Sequence, residues 1–166
     1  MRDVDFMAAY EGVLKQIKEG AFLTVKAGEA LNTMTIGWAT LGFAWKKPIM
    51  MVMVRNTRHT YSLIEKAADF TVSVPTGNVK KEIAFCGTKS GRDVDKFKEC
   101  RLKTAASQKV GSPIIQIPGI HFECRIVYKN GIDPTHLTRE YDQVYPEKDY
   151  HTLYFGEIQA CYEVEE

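Results

Sequence analysis

Apolar positions first recur every three to four residues, then give way to runs and alternations that last to the end of the chain. Phe6, Tyr10, Leu14 and Ile17 keep helical spacing within residues 3–18, and Gly20 is a natural stop. This predicts an amphipathic helix lying on the domain. Ala21 to Val25 reads as a strand, with a turn over Lys26–Glu29. Met34 to Phe43 reads as a second strand interrupted by Gly37 and Gly42, where glycine marks a bulge or a close approach to backbone. After a turn at Trp45–Pro48, the run from Pro48 to Val54 is continuously apolar, as for a strand buried on both faces. Thr60 is placed to cap a short helix through residue 67, whose free N–H groups could meet a phosphate.

Asp69 to Pro75 predicts a strand with Phe70, Val72 and Val74 on one face. A second helix is expected from Asn78 to Gly87, ended by that glycine. Residues 101–119 read as irregular, punctuated by glycine and proline. Ile120 to Lys129 alternates, setting Phe122, Cys124 and Ile126 against His121, Glu123 and Arg125, and Asn130-Gly131 reads as a turn. Residues 132–149 are polar with Tyr141 and Tyr145, and Tyr150 to Tyr162 is a long final strand. Six or seven strands with few, short helices predict a mainly β fold, a barrel with appended helices. No repeat or linker divides the chain, so residues 1–166 read as one domain.

Composition narrows the partners. The 166 residues are 45% hydrophobic and 26% charged, the profile of a soluble globular protein with a sizeable core. The formal net charge is +1, which gives no field for nucleic acid or a membrane surface. Any anion must therefore be held by a local cluster. The charged start lacks the apolar stretch of a signal peptide, and the uncharged stretch Ala30–Trp45 is too short to span a bilayer, so a cytoplasmic location is expected. Cys86, Cys100, Cys124 and Cys161 form no CxxC pair and are expected to be free and mostly buried thiols, with no metal site.

The common catalytic signatures are missing. There is no GxGxxG, Walker A, GxSxG or HExxH sequence. A Cys86–His59 nucleophilic pair is compatible with the sequence, as is a buried thiol beside a surface imidazole. What is present is a set of anion-binding groups. Arg55, Arg58, Lys89, Arg92 and Lys96 lie in two loops, interleaved with the hydroxyls of Thr57, Thr60, Thr88 and Ser90. Arginine forks match phosphate oxygens, lysine adds a point charge, and Gly91 permits close backbone approach. Asn32, Thr33 and Thr35 supply donors and acceptors that suit the edge of a flat heterocycle. Each loop alone also fits a solvated turn, and threonine is common in sheet.

The run Asn32-Thr33-Met34-Thr35-Ile36-Gly37-Trp38, the strand ending Val54-Arg55 and the Arg58–Thr60 turn together resemble the flavin reductase-like proteins with an FMN-binding split barrel. The flavoredoxin branch is the nearest in pattern. Asp69–Pro75, the run Phe85-Cys86-Gly87-Thr88-Lys89-Ser90-Gly91-Arg92-Asp93, Gly111–Ile115 and His151–Ile158 extend the resemblance from about Gly20 to the end. It implies a split β-barrel and a homodimer with FMN near the subunit interface. Asn32, Thr33, Met34 and Thr35 would then contact the ring and ribityl chain, partly through backbone. Arg55, Thr57, Arg58 and Thr60 would hold the ribityl chain and phosphate. Ser90, Gly91 and Lys96 would close over the phosphate, with Arg92 and Asp95 bracing the loop. His59 stands where the group frequently has an aromatic such as tyrosine. The implied activity is that of an FMN-dependent oxidoreductase. It would be either a flavin reductase using NADH or NADPH or an electron carrier fed by a redox partner, with the chemistry carried by the flavin and no catalytic side chain. The alternatives are a non-catalytic flavin store or sensor, and a split barrel that binds some other anion.

Overall fold

The computed structural model describes residues 1–165. A two-residue strand β1 (Arg2–Asp3) leads into α1 (Phe6–Glu19). Asp5 caps α1 by accepting from the Met7 N–H at 2.9 Å. Gly20 ends the helix at φ 123°, where a Cβ would also meet Ile83 Cγ2 at 2.4 Å. Then follow β2 (Ala21–Ala27), β3 (Ala30–Ile36), β4 (Ala39–Ala44), β5 (Lys47–Arg55), α2 (His59–Ile64) and β6 (Asp69–Pro75). Next come α3 (Lys80–Thr88), α4 (Lys96–Glu99) and the short strands β7 (Thr104–Ala105) and β8 (Ile114–Ile115). β9 (Gly119–Gly131), a 3-10 turn at Pro134–His136, α5 (Arg139–Asp142) and β10 (His151–Val164) complete the chain. No helix among the described residues is long and apolar enough to cross a membrane.

The main sheet is antiparallel and runs β3-β2-β6-β9-β10-β5-β4, with β1 added to β10. Inner-face residues from every strand on this path, such as Leu23, Ile36, Leu41, Val52, Phe70, Phe122 and Tyr154, meet in one core. The sheet is therefore closed on itself as a barrel, and it is split where β3 and β4 form unpaired edges. These two strands are consecutive in the chain. The expected single strand Met34–Phe43 is thus two strands, and Gly37-Trp38 carries the chain from one edge of the sheet to the other. The β4–β5 hairpin turns through Trp45 and Lys46, both in the left-handed region at φ 51° and 59°.

Other expectations are corrected by packing. β5 is buried unevenly: Met50, Val52 and Val54 point inward, whereas on the other face Ile49 is buried but Met51 and Met53 are half-exposed. β9 does the opposite. His121 and Glu123, on the polar side of its alternation, are fully buried because the 104–117 segment covers them. Glu123 accepts the Gln108 N–H (2.8 Å), the Lys109 N–H (2.6 Å) and the Tyr162 hydroxyl (2.7 Å). Asn130 and Gly131 lie inside β9, opposite Leu153 and Thr152, rather than in a turn. α3 begins at Lys80 and runs through Gly87, which serves packing and not termination: a Cβ there would lie 3.3 Å from Thr35 Cβ. α2 starts after Arg58, and Thr60 is a buried member of the helix, not its cap.

A second, smaller core forms outside the barrel, where Phe22 packs with Ile83, Cys86, Ile115 and Ile117. It fixes α3 and the 104–117 segment against β2. All four cysteines are free; Cys86 and Cys124 are buried and Cys100 and Cys161 are half-buried.

Candidate functional site

Three segments converge at the β3 edge. The Asn32 amide Nδ2 donates to Thr60 Oγ1 at 2.8 Å, tying the edge strand to α2. The loop after α3 closes on this pair through Gly91, where a Cβ would stand 2.3 Å from Asn32 Oδ1 and 2.8 Å from His59 Cδ2. The close approach foreseen for Gly91 is thus an approach to Asn32 and His59. Between the segments lies a hollow of about 100 Å³, lined by Asn32, Met34, the turn Thr57–Thr60, the loop Gly87–Arg92 and Lys96.

Lys96 sets the charge of this hollow. It is 4% exposed, and its Nζ donates to the carbonyls of Thr33 (3.0 Å) and Cys86 (2.8 Å). No carboxylate among the described residues pairs with it. One ammonium hydrogen is left without an acceptor among the described residues. Burial holds the ammonium below its ordinary pKa, with Arg58 acting in the same direction. Arg58 also lacks a carboxylate partner among the described residues, and Arg92 donates to the Thr57 carbonyl at 3.1 Å. The His59 imidazole is held down by burial and by Arg92 and Lys96. Arg58, Lys89, Arg92 and Lys96 thus line a partly enclosed hollow with no carboxylate paired to any of them among the described residues, and the buried Lys96 charge in particular is costly until it is paired. The Ser90 hydroxyl accepts the Arg92 N–H at 3.2 Å, and Asp95 caps α4 by accepting from Phe97 and Lys98. Both contacts shape the loop.

A second hollow of about 220 Å³ adjoins the first and shares Met34 and Arg58 with it. Its other walls are Thr35–Trp38, Met53, Arg55 and His151. Arg55 is paired with Asp149 at 2.6 Å and lies 5.0 Å over the Tyr145 ring. This pairing keeps the Asp149 carboxyl below the usual range and pins residues 144–149 to the end of β5. His151 is 9% exposed, its ring 5.0 Å from that of Trp38. Its Nδ1 lies 2.8 Å from the Tyr145 hydroxyl. Burial, reinforced by Arg55 and Arg58, pushes this imidazole down to about 4.

The structure gathers Asn32, Met34, Thr57, Arg58, Thr60, Ser90, Gly91 and Lys96 around the first hollow, and Met34, Thr35, Arg55 and Arg58 around the second. Thr33 lines neither. Its Oγ1 donates to the Leu23 carbonyl at 3.2 Å and accepts from Thr24 Oγ1 at 3.1 Å, so it offers a ligand no side-chain group. The Thr35 hydroxyl is likewise engaged, donating to the Ile83 carbonyl at 2.5 Å. Cys86 lines the first hollow, but burial pushes its thiol up to about 12 and no hydrogen bond joins it to His59 among the described residues, which argues against the nucleophilic reading of that pair. Trp38, Tyr145, Asp149 and His151 were not anticipated as site residues. The one sequence signal was the density of aromatics between 141 and 151.

The second hollow opens onto an uncovered sheet face. Met53 lies opposite Leu153 and Met51 opposite Phe155, which in turn lies opposite Tyr128. The Trp45 ring packs 6.0 Å from Phe155 and 6.1 Å from Tyr128.

Residues 19–166 match the flavin reductase like domain. An uncharacterized protein of Archaeoglobus fulgidus is 30% identical over 137 residues, covering 82% of this chain and 68% of that protein. The chain thus spans about two thirds of that relative's length. Among solved structures, an FMN-binding protein from Thermus thermophilus with bound p-hydroxybenzaldehyde superposes with a TM-score of 0.68 at 25% identity, over 88% of this chain and 71% of that one. The flavoredoxin of Desulfovibrio vulgaris (Miyazaki F) has a TM-score of 0.69 at 21% identity, over 88% of this chain and 69% of that one, and is alike in fold.

Proposed function

The chain belongs to the flavin reductase like domain family, and from that premise we propose that it is an FMN-binding oxidoreductase. The observation that carries this reading is the buried Lys96 ammonium without a carboxylate, set in a hollow that adjoins a second one with aromatic and thioether walls. A phosphate on a short polar chain, ending in a flat heterocycle, matches both in order. Lys96, Arg58 and Arg92 would neutralise the phosphate, with Thr57 and Ser90 as hydroxyl donors. Met34, Trp38 and Met53 would flank the ring, and the unpaired β3 edge would offer it backbone donors and acceptors. A flavin held there would supply the redox chemistry, with NADH, NADPH or a redox partner as the electron donor. The chain's part is to bind, to orient and to keep water from the ring.

The uncovered face of Met51, Met53, Leu153, Phe155 and Trp45 supports a homodimer. A continuous apolar sheet face of this kind marks an association surface. Because Met53 belongs to both the face and the second hollow, the partner subunit would complete that hollow's outer wall.

The absorption spectrum of the purified protein, after incubation with FMN and removal of the excess, tests the reading. A yellow protein bleached anaerobically by NADH or NADPH is the expected result. A yellow protein indifferent to both identifies a carrier or a non-catalytic module, and a protein that takes up no FMN refutes flavin binding.

A further inference from the structure

We propose that Tyr145 holds the His151 imidazole in the tautomer whose Nε2–H faces the second hollow, where it donates a hydrogen bond to an electron-rich atom of the bound heterocycle. The ligand half of this proposal rests on the flavin reading above; the tautomer half does not.

The Tyr145 side chain is buried, and the only hydrogen-bond partner of its hydroxyl among the described residues is His151 Nδ1, at 2.8 Å. A buried phenol hydrogen without an acceptor costs about 1–3 kcal/mol, so the O–H donates to Nδ1. A neutral imidazole that accepts at Nδ1 carries its hydrogen at Nε2. An imidazolium is disfavoured here by burial and by the charges of Arg55 and Arg58, with Asp149 as the one opposing group. Nε2 has no protein partner, yet no fully buried side-chain nitrogen or oxygen among the described residues is left unpartnered. Nε2 is therefore open, and the space beside it is the second hollow.

The ring has little freedom to turn. Trp38 packs against it at 5.0 Å and the Tyr145 ring meets it edge-on at 5.5 Å. Tyr145 is fixed in turn by Arg55 over its face and by Tyr150, whose ring centre lies 4.9 Å away. Residues 132–150, polar and irregular in sequence, thereby acquire a role. They deliver one phenol to the back of one imidazole, which makes Tyr145 a positioning residue. A neutral donor serves a carbonyl or ring nitrogen without adding charge, and its bond strengthens as that atom gains electron density. It should therefore raise the reduction potential of the bound ring.

Nitrogen-15 NMR of histidine-labelled protein reads the tautomer directly, with His151 assigned by the signals lost in His151→Gln. The expected spectrum shows an unprotonated Nδ1 and a protonated Nε2, and Tyr145→Phe gives a mixture of tautomers. A protonated Nδ1 with a bare Nε2 in the wild type overturns the proposal. In the ligand arm, His151→Leu should weaken FMN binding about tenfold and lower the midpoint potential of the bound flavin, with His151→Gln restoring part of both. Unchanged affinity and potential in His151→Leu, with normal wild-type uptake, refute the donor alone. Wild-type protein that takes up no FMN refutes the flavin reading and the ligand half, and leaves the NMR result to decide the tautomer.

Discussion

Gly91 and Asn32 touch so closely that residue 91 has no room for a side chain: an added Cβ would come within 2.3 Å of Asn32 Oδ1. Asn32 cannot yield easily, because its amide is buried and bonded to Thr60. Gly91→Ala should therefore break the Asn32–Thr60 bond or push the 87–92 loop outward. The expected outcome is a loss of stability of about 1–3 kcal/mol, the usual cost of overpacking, with at least tenfold weaker FMN binding. Denaturant melts and FMN titration measure the two effects, and Gly91→Ala protein with wild-type values for both would show that the loop has slack.

Arg58 lines both hollows from an exposed position and has no carboxylate partner among the described residues. Arg58→Ala should weaken FMN binding by about 10- to 100-fold through loss of a charge-assisted contact. The melting temperature should hardly change, and riboflavin, which lacks the phosphate, should bind as before. Equal losses for FMN and riboflavin would move Arg58 from the phosphate to the ring.

His121 and His151 are both pushed down to about 4 by burial, from an ordinary value of 6.5. The unfolded chain thus binds more protons than the folded one between these values, so stability falls as pH drops from about 6.5 towards 4. Each histidine contributes on the order of 2–3 kcal/mol to that fall. Urea midpoints measured from pH 7 to pH 4 should show the slope, and His151→Gln should flatten it. A variant with the same slope would assign the acid sensitivity elsewhere.

Phe155 sits at the centre of the uncovered face, between Met51 and Tyr128 in register. Phe155→Lys should turn the proposed dimer into a monomer in sedimentation velocity and loosen FMN binding in step. A wild-type monomer at micromolar concentration would remove the interface.

Much of this architecture was legible because alternation is a local property. β6 and most of β10 could be read from residues whose neighbours in sequence decide their faces. The cations of the 55–60 and 87–96 loops were equally visible, because glycine and hydroxyls gathered beside them. What escaped depended on contacts across the chain. Thr33 looks like a ligand-facing hydroxyl until β2 provides Leu23 and Thr24 as its partners. Glu123 looks solvated until the Gln108 and Lys109 amides cover it. The wall built from Arg55, Tyr145, Asp149 and His151 joins residues up to 96 positions apart, and periodicity carries no trace of such a meeting.

The unpaired edges also bear on the order in which the molecule assembles. β2–β3 and β4–β5 are hairpins closed by tight turns, so each can form from neighbouring residues. Pairing of β6 and β10 with β9 and of β5 with β10 must bridge longer stretches, and is slow by comparison. The Asn32–Thr60 bond joins the first hairpin to the helix beyond the second, and can form only once both are docked. Substitutions at Asn32 or Thr60 should accordingly speed unfolding and leave the refolding rate nearly unchanged. In that sequence of events the hollow beside Asn32 and Thr60 would close last, and a ligand bound in it would act chiefly as a brake on unfolding.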